Sequence, residues 1–179
     1  NKDSLYKDFD YRNPETYKQT PDYQIYKYFM DNGAGEPESI QVTLAQRLHD
    51  HAIGDALHSF LSKISSPLRE VAVMGGHNKL RGSEDYRQIA FSSKTLCEEN
   101  FLMVSGGGPG AMGATHLGAW FSERPASDLA AAIDIMSAAP SYSDKLWLAK
   151  AFEVIERFPR ITKYDSLGIP TWLYGHEPP

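Results

Sequence analysis

The sequence predicts an α/β protein built on a doubly wound parallel sheet. Two short apolar runs, 71–74 and 101–105, have the composition of buried parallel strands, and a helical pattern follows each of them. The apolar run at 167–175 supplies a third strand later in the chain. Because alternating strands and helices build parallel sheets with helices on the faces, this order predicts the fold class.

Residues 1–66 are predicted to form an N-terminal extension that ends in a long amphipathic helix. The segment 23–29 is compatible with a short strand or one helical turn, and its periodicity does not decide between them. Ser39 is a suitable N-cap for a helix over 40–64. Apolar residues recur there at three- and four-residue spacing and form one stripe: Leu44, Leu48, Ile53, Leu57, Phe60, Leu61 and Ile64.

The helices of the remaining chain follow from their caps and apolar faces. Ser83 is predicted to cap a helix that reaches Asn100, after the first strand. Two further helical patterns, 126–140 and 142–159, precede the third strand, and Ser143 is the predicted N-cap of the second. They follow the helix that is predicted after the glycine-rich segment. This two-helix insertion interrupts the strand–helix alternation, and we expect it to form a lid or a dimer surface.

A glycine-rich segment joins the second strand to a helix predicted over about 109–122. Glycine permits a sharp turn off the strand and leaves the backbone N–H groups uncovered. The first turn of the helix adds unpaired N–H groups and the positive end of its dipole, and Pro109 suits that turn. Such a unit is typical of a site for a nucleotide or sugar phosphate, although a tight connection without a ligand would share the composition. Its glycines are Gly106, Gly107, Gly108, Gly110, Gly113 and Gly118.

Composition excludes several classes of function. The apolar fraction of 41% and charged fraction of 23% are ordinary for a soluble globular protein of 179 residues. The net charge of -5 disfavours non-specific binding to nucleic acid. A single cysteine, Cys97, rules out a disulfide framework, and no cluster of residues has metal-ligand spacing. No secretory or membrane-spanning run is present, and we therefore expect a cytoplasmic protein without a metal.

A dinucleotide site is an alternative, because Gly108, Gly110 and Gly113 spell GxGxxG. That fingerprint normally follows the first strand of its sheet, whereas here a strand and a helix precede it. It also needs an acidic residue about 20 positions later at a strand tip, and Asp134 has this separation but lies in a helical pattern. These features make a nicotinamide or flavin oxidoreductase the weaker interpretation.

Two stretches, 71–96 and 101–120, together resemble the first half of the LOG (Lonely Guy) family, often labelled lysine decarboxylase-like. The resemblance is carried by the glycine-rich stretch after the second strand, where residues 105–113 read SGGGPGAMG and are similar to the family's GGGxxGxMG pattern, with Ser105 in place of its first glycine. The sequence GGH at 75–77 and GPGAM at 108–112 are also similar to the related nucleotide 5′-monophosphate nucleosidases. The resemblance therefore covers both strand–loop–helix units.

The resemblance implies a Rossmann-like, usually homodimeric enzyme without a metal or redox cofactor. Such enzymes hydrolyse the N-glycosidic bond of a nucleoside 5′-monophosphate to a free base and ribose 5-phosphate. Positive charge develops on the ribose, so that chemistry needs a phosphate anchor and a nearby carboxylate. The nucleotide- and phosphate-binding residues that it implies are Gly75, Gly76, His77, Gly106, Gly107, Gly108, Gly110, Ala111, Met112 and Gly113.

The family's catalytic glutamate lies in a PGGxGTxxE motif, and residues 121–179 contain no such motif. The chain also begins at Asn1 and stops directly after a predicted strand. We therefore expect a piece of a longer protein, in which 67–179 is the first half of the nucleotide-binding domain. Its catalytic residues are unknown, and Glu177 is a weak candidate. A non-catalytic nucleotide-binding or sensing module is the main alternative.

Overall fold

A computed structural model gives the fold and describes residues 2–33, 39–63, 69–161 and 166–171. It contains a parallel sheet of three strands accompanied by several helices, so the predicted α/β class is confirmed. The chain divides into two compact units, which we call the helical unit and the sheet unit. The helical unit comprises Asn1–Lys63 and Pro170–Pro179, and the sheet unit comprises Ile64–Ile169.

The helical unit contains three α-helices, and side-chain caps define the starts of two of them. Thr20 Oγ1 accepts a hydrogen bond from Tyr23 N at 3.2 Å, and Ser39 Oγ accepts one from Val42 N at 3.3 Å. The segment 23–29, which the sequence left undecided, therefore lies inside a helix. The elements are α1 (Lys2–Leu5), a 3-10 helix (Pro14–Gln19), α2 (Pro21–Asp31) and α3 (Ile40–Ser62).

Helix α3 buries only part of its predicted apolar stripe: Ile53, Leu57 and Phe60 are partly buried on the same face as Val42 and Gln46. Val42 and Gln46 are its buried residues, whereas Leu44 is 53% and Leu48 68% exposed. Ile64, the last residue of the predicted stripe, lies outside the described residues. Periodicity gives the spacing of an apolar face, but the neighbouring elements decide how much of it is covered.

The sheet unit is built on three parallel strands in the order β1-β2-β3. Val73 pairs with Ser105, and Ser105 pairs with Gly168, so the three strands end at nearly the same level. Their carboxyl ends therefore form one edge, where α/β proteins place ligands. The strands are β1 (Arg69–Val73), β2 (Phe101–Ser105) and β3 (Ser166–Gly168). Of the predicted strand 167–175, residues 169–171 follow β3 without strand structure, and residues 172–175 lie outside the described residues.

Four helices complete the sheet unit. Ser83 caps the first as predicted, since its Oγ accepts a hydrogen bond from Tyr86 N at 3.2 Å. The predicted cap Ser143 is wrong, because the last helix begins after Leu146 and Ser143 Oγ instead lies 2.8 Å from Ser141 Oγ. The helices are α4 (Glu84–Glu98), α5 (Ala111–Trp120), α6 (Ala126–Ser137) and α7 (Trp147–Arg157).

Helices α4 and α5 pack closely because small residues face each other. Ala90 and Ala114 are completely buried, and Ser93 Oγ donates a hydrogen bond to Thr115 O at 2.6 Å. At Gly118 a Cβ atom would lie only 2.0 Å from Ala90 O. The absence of a side chain at this glycine therefore sets how closely the two helices approach.

Helices α6 and α7 contribute to the same core through their inner faces, and the expected lid or dimer surface stays a prediction. Leu129 and Ile133 of α6 are completely buried, and Val154 of α7 is 2% exposed. They join one apolar cluster with Tyr86 of α4 and Phe121, which follows α5. The inner faces of these helices are thus structural, because their burial completes the hydrophobic core that the short sheet requires.

Candidate functional site

The candidate site lies at the edge formed by the carboxyl ends of β1 and β2. Four glycines that follow these strands have positive φ: 75° at Gly75, 70° at Gly76, 76° at Gly107 and 67° at Gly110. Residues with a Cβ rarely adopt this backbone region. The glycines predicted from the sequence therefore allow both strands to turn sharply at the same edge.

The two glycine loops contact each other directly. Ala111 N donates a hydrogen bond to Gly76 O at 2.9 Å, which satisfies the first N–H of α5. A Cβ at Gly110 would lie 2.1 Å from Gly76 O and 2.6 Å from His77 O. Gly76, Gly110 and Ala111 thus join the two loops, and the N–H of Ala111 is not available to a ligand.

Five N–H groups of the glycine-rich turn are unpaired among the described residues: those of Gly106, Gly108, Gly110, Met112 and Gly113. Gly110 is buried, and the other four remain open. Met112 and Gly113 belong to the first turn of α5, where the helix dipole is positive. Backbone N–H groups in this arrangement can bind an anion without a charged side chain.

The side chain of Met112 covers part of the turn. Its Cε would be 2.7 Å from a Cβ at Gly108, and its Sδ would be 3.4 Å from a Cβ at Gly106. A side chain at position 108 would therefore displace only the flexible end of Met112, and packing by itself does not require glycine there. The thioether also provides an apolar, adaptable neighbour for a group that approaches the open N–H groups.

Ser105 and His116 form a polar pair that the sequence analysis missed. Ser105 Oγ lies 2.7 Å from His116 Nε2, and it also accepts a hydrogen bond from Gly107 N at 3.0 Å. Ser105 is 3% exposed, and burial lowers the pKa of His116 below its usual value, so the imidazole is neutral at pH 7. The available signal was a serine at the end of a strand and a histidine in the following helix.

A first cavity of about 350 Å³ opens beside this pair. Trp120 contributes an aromatic ring to it, and the Arg160 guanidinium lies 5.7 Å from the centre of that ring. Trp120 Nε1 donates a hydrogen bond to Phe158 O at 2.8 Å, which fixes the indole. The cavity is lined by Gly107, His116, Trp120, Arg160, Ser166 and Gly168.

A second cavity of about 250 Å³ lies at the other end of the turn. Pro109 and Gly110 border it, whereas Gly107 borders the first cavity. His77 also lines the second cavity, together with Arg81, a residue that the sequence analysis did not single out. The glycine-rich turn therefore borders both cavities.

Asp134 and Glu177 are the acidic residues that the sequence analysis considered for a role in the site. Asp134, the acidic residue with dinucleotide spacing, lies in α6 and forms an ion pair with Arg87 at 2.8 Å, with 70% of its side chain exposed. It is therefore away from any strand tip, as its helical pattern indicated. Glu177 lies outside the described residues.

Comparison with known proteins gives no family assignment: no protein-family model, curated protein or solved structure matches the chain. Among the described residues, no helix has both the length and the apolar character needed to cross a membrane. The same residues contain no group of three or more histidine, cysteine or acidic side chains arranged for a metal ion.

Proposed function

We propose that this chain binds a nucleoside 5′-monophosphate, with the phosphate on the glycine-rich turn. The observation that carries the proposal is the set of open N–H groups of Gly108, Met112 and Gly113 at the start of α5. A phosphate can accept several of these hydrogen bonds while the helix dipole stabilises its charge. The net charge of the protein does not oppose this binding, because the donors are backbone groups.

The first cavity supplies a place for the ribose and base. Its volume of about 350 Å³ is within the range of about 300 to 1,000 Å³ for small-molecule sites. Trp120 offers an aromatic surface for a base, and Nδ1 of neutral His116, the ring nitrogen that does not contact Ser105, can donate or accept one hydrogen bond according to the tautomer. Gly107 connects this cavity to the phosphate-binding turn, so one ligand can extend over both.

The reaction that we propose is hydrolysis of the N-glycosidic bond within a Rossmann-like domain, as the resemblance to the LOG family implies. The oxocarbenium-like transition state of that reaction requires a carboxylate near the ribose. None of the described residues that line the first cavity is an aspartate or glutamate. We therefore assign substrate binding to the described residues and bond cleavage to a carboxylate outside them.

The binding proposal is tested by replacing Gly106 with Asp and, as an isosteric neutral control, with Asn. Gly106 is exposed, its φ is not positive, and a new Cβ would meet only Met112 Sδ at 3.4 Å. The carboxylate introduced by Gly106→Asp would repel a phosphate on the turn. We expect calorimetry to show saturable binding of AMP or another common nucleoside monophosphate, and affinity at least about tenfold lower for Gly106→Asp than for Gly106→Asn.

Equal affinities of these two variants would contradict a phosphate on the turn. Gly110 is a poor position for the same test, because its positive φ and the nearby Gly76 carbonyl would disrupt the backbone.

A non-catalytic nucleotide-binding module is the second candidate, favoured by the lack of a carboxylate among the described residues of the first cavity. Both candidates predict the same binding, and they differ only in turnover. Chromatography of AMP incubated with the purified protein distinguishes them, since hydrolysis releases adenine and ribose 5-phosphate. Binding without release of base, also in the longest available form of the polypeptide, supports the module.

A further inference from the structure

The second cavity has a strongly positive character that the nucleotide proposal does not use. It lies between the loop that follows β1 and the segment that precedes α7, and its volume is about 250 Å³. Lys79 and Arg81 line it from the first segment, and Tyr142 and Trp147 line it from the second. None of the described residues that line this cavity is an aspartate or glutamate; Asp144 lies behind the lining, where its Oδ2 accepts a hydrogen bond from Ser141 N at 2.7 Å.

Arg81 is the central group of this cavity. It is only 7% exposed, its Nη1 donates a hydrogen bond to Trp147 O at 2.6 Å, and its guanidinium lies 4.0 Å from the Trp147 ring centre. Among the described residues, no carboxylate forms an ion pair with it. Buried arginines are normally paired with an anion, so this guanidinium has an unused capacity to bind one.

The surroundings of Arg81 show how poorly its charge is compensated. Burial lowers the pKa of Arg81 to about 10, which means that the protein interior disfavours the charged form. Beside it, the buried Tyr86 hydroxyl interacts with the Arg81 guanidinium, although its hydrogen-bond geometry is poor. Burial also raises the pKa of Tyr86 to about 12, so this hydroxyl does not supply a negative charge at neutral pH.

Lys79 brings a second positive charge to the rim of the cavity. Its side chain is 43% exposed and forms an ion pair with Asp85, a residue that does not line the cavity. Solvent weakens such an exposed pair, so Lys79 can also interact with an anion inside. The cavity thus combines a buried guanidinium with a nearby ammonium group.

We propose that the second cavity binds a phosphate group, either inorganic phosphate or a phosphomonoester, with Arg81 as its main ligand and Lys79 at its rim. A tetrahedral phosphate can accept hydrogen bonds from several directions, and Arg81, Lys79 and Tyr142 surround this space. A carboxylate would be satisfied by the arginine fork alone. The inference does not depend on nucleotide binding at the glycine-rich turn.

The test follows the Arg81 Nε–Hε and Trp147 Nε1–H signals of ¹⁵N-labelled protein by NMR during titration with sodium phosphate. Sodium chloride and sodium acetate at equal ionic strength are the controls. We expect a saturable shift of both signals with phosphate and none with chloride. If acetate shifts the signals with the same affinity as phosphate, the assignment to phosphate is wrong. If phosphate produces no saturable shift, the proposed site is wrong. Ribose 5-phosphate in a parallel titration shows whether the site prefers an ester to the free ion.

Two variants connect the signals to the proposed ligands. Lys79→Met removes the rim charge at an exposed position, and we expect phosphate affinity, measured on the Trp147 signal, to fall about tenfold or more. Arg81→Lys keeps the charge but loses the fork, and should abolish saturation. Because Arg81 also connects two segments, circular dichroism checks the fold of Arg81→Lys. If Arg81→Lys is unfolded, the phosphate affinity of Lys79→Met decides the test. Unchanged affinity in Lys79→Met would contradict the proposed rim.

Gly106→Asp separates this inference from the nucleotide proposal. Position 106 does not line the second cavity, so phosphate binding followed at Trp147 should remain within about twofold of the wild type, well below a tenfold change. A loss of the Trp147 response in this variant would show that phosphate binds on the glycine-rich turn, and would overturn a separate site.

Discussion

At the scale of single residues, Ser105 organises the carboxyl end of β2. Its hydroxyl contacts His116 Nε2 and accepts the Gly107 N–H, so one buried oxygen holds both the turn and the imidazole. Two hydrogen bonds offset the free-energy cost of burying the hydroxyl, and they restrict the positions of both partner groups. The first cavity consequently has one wall that is fixed before any ligand arrives.

The protonation of His116 leads to a prediction about pH. Burial lowers its pKa in the folded protein, so below a pH of about 6.5 the unfolded chain binds a proton that the folded chain does not. The free energy of unfolding should therefore fall as the pH decreases from 6.5 towards the lowered folded pKa. His116→Gln should show a smaller loss between pH 7.5 and 5.5, measured by urea unfolding.

The control for this effect is His58→Gln, which removes an exposed histidine from α3. It should retain the wild-type dependence on pH. An identical pH dependence in His116→Gln and the wild type would contradict the proposed neutral, buried imidazole.

At the scale of elements, two helical glycines illustrate how the same residue serves different purposes. Gly54 in α3 has no heavy atom within 4 Å of the position of a Cβ. Gly118 in α5 has Ala90 O at 2.0 Å and Ser93 Cβ at 2.8 Å from that position. Only Gly118 is therefore required by packing, and the sequence alone gives no means of telling the two apart.

Replacing each glycine with alanine should have opposite effects on stability. Gly118→Ala should lower the free energy of unfolding by about 2 kcal/mol or more, because α4 and α5 must separate. Gly54→Ala should raise it by about 0.5 to 1 kcal/mol, because alanine favours the helix and meets no neighbour. Chemical denaturation of both variants checks this prediction, and a stabilised Gly118→Ala would refute the close helix contact.

At the scale of the whole molecule, the core of the sheet unit depends on elements that are distant in sequence. Tyr86, Leu129 and Val154 belong to three different helices and meet in one apolar cluster. The sheet has three strands, so the helices supply much of the buried apolar surface. A change in the core is therefore expected to affect the edge that carries the glycine-rich turn.

Ligand binding should stabilise the protein by mass action. If the turn binds a nucleoside monophosphate only in the folded state, a ligand concentration of one hundred times Kd should add about 2.7 kcal/mol to the free energy of unfolding. A thermal unfolding experiment with and without AMP would show this as a rise in Tm. Gly106→Asn should keep the rise at that concentration, and a tenfold loss of affinity in Gly106→Asp should reduce the added free energy to about 1.4 kcal/mol.

The elements that the sequence predicted well are those whose signals are local. The strand Phe101–Ser105 and the cap at Ser83 agree with the structure, because strand composition and capping act over a few residues. The start of α7 was predicted too early, since Ser143 hydrogen-bonds to Ser141 rather than to a helix. Short polar residues make such local contacts in turns as readily as at caps.

The sequence by itself determined the α/β class, the order of strands and helices in the sheet unit, and the glycine turn after β2. These follow from composition and spacing along the chain. Only the tertiary structure decided how much of the apolar stripe of α3 is buried, that α6 and α7 join the core, and that His116 and Arg81 line cavities. Those outcomes depend on contacts between residues far apart in the chain, and local patterns contain no information about which distant partner will cover a given face.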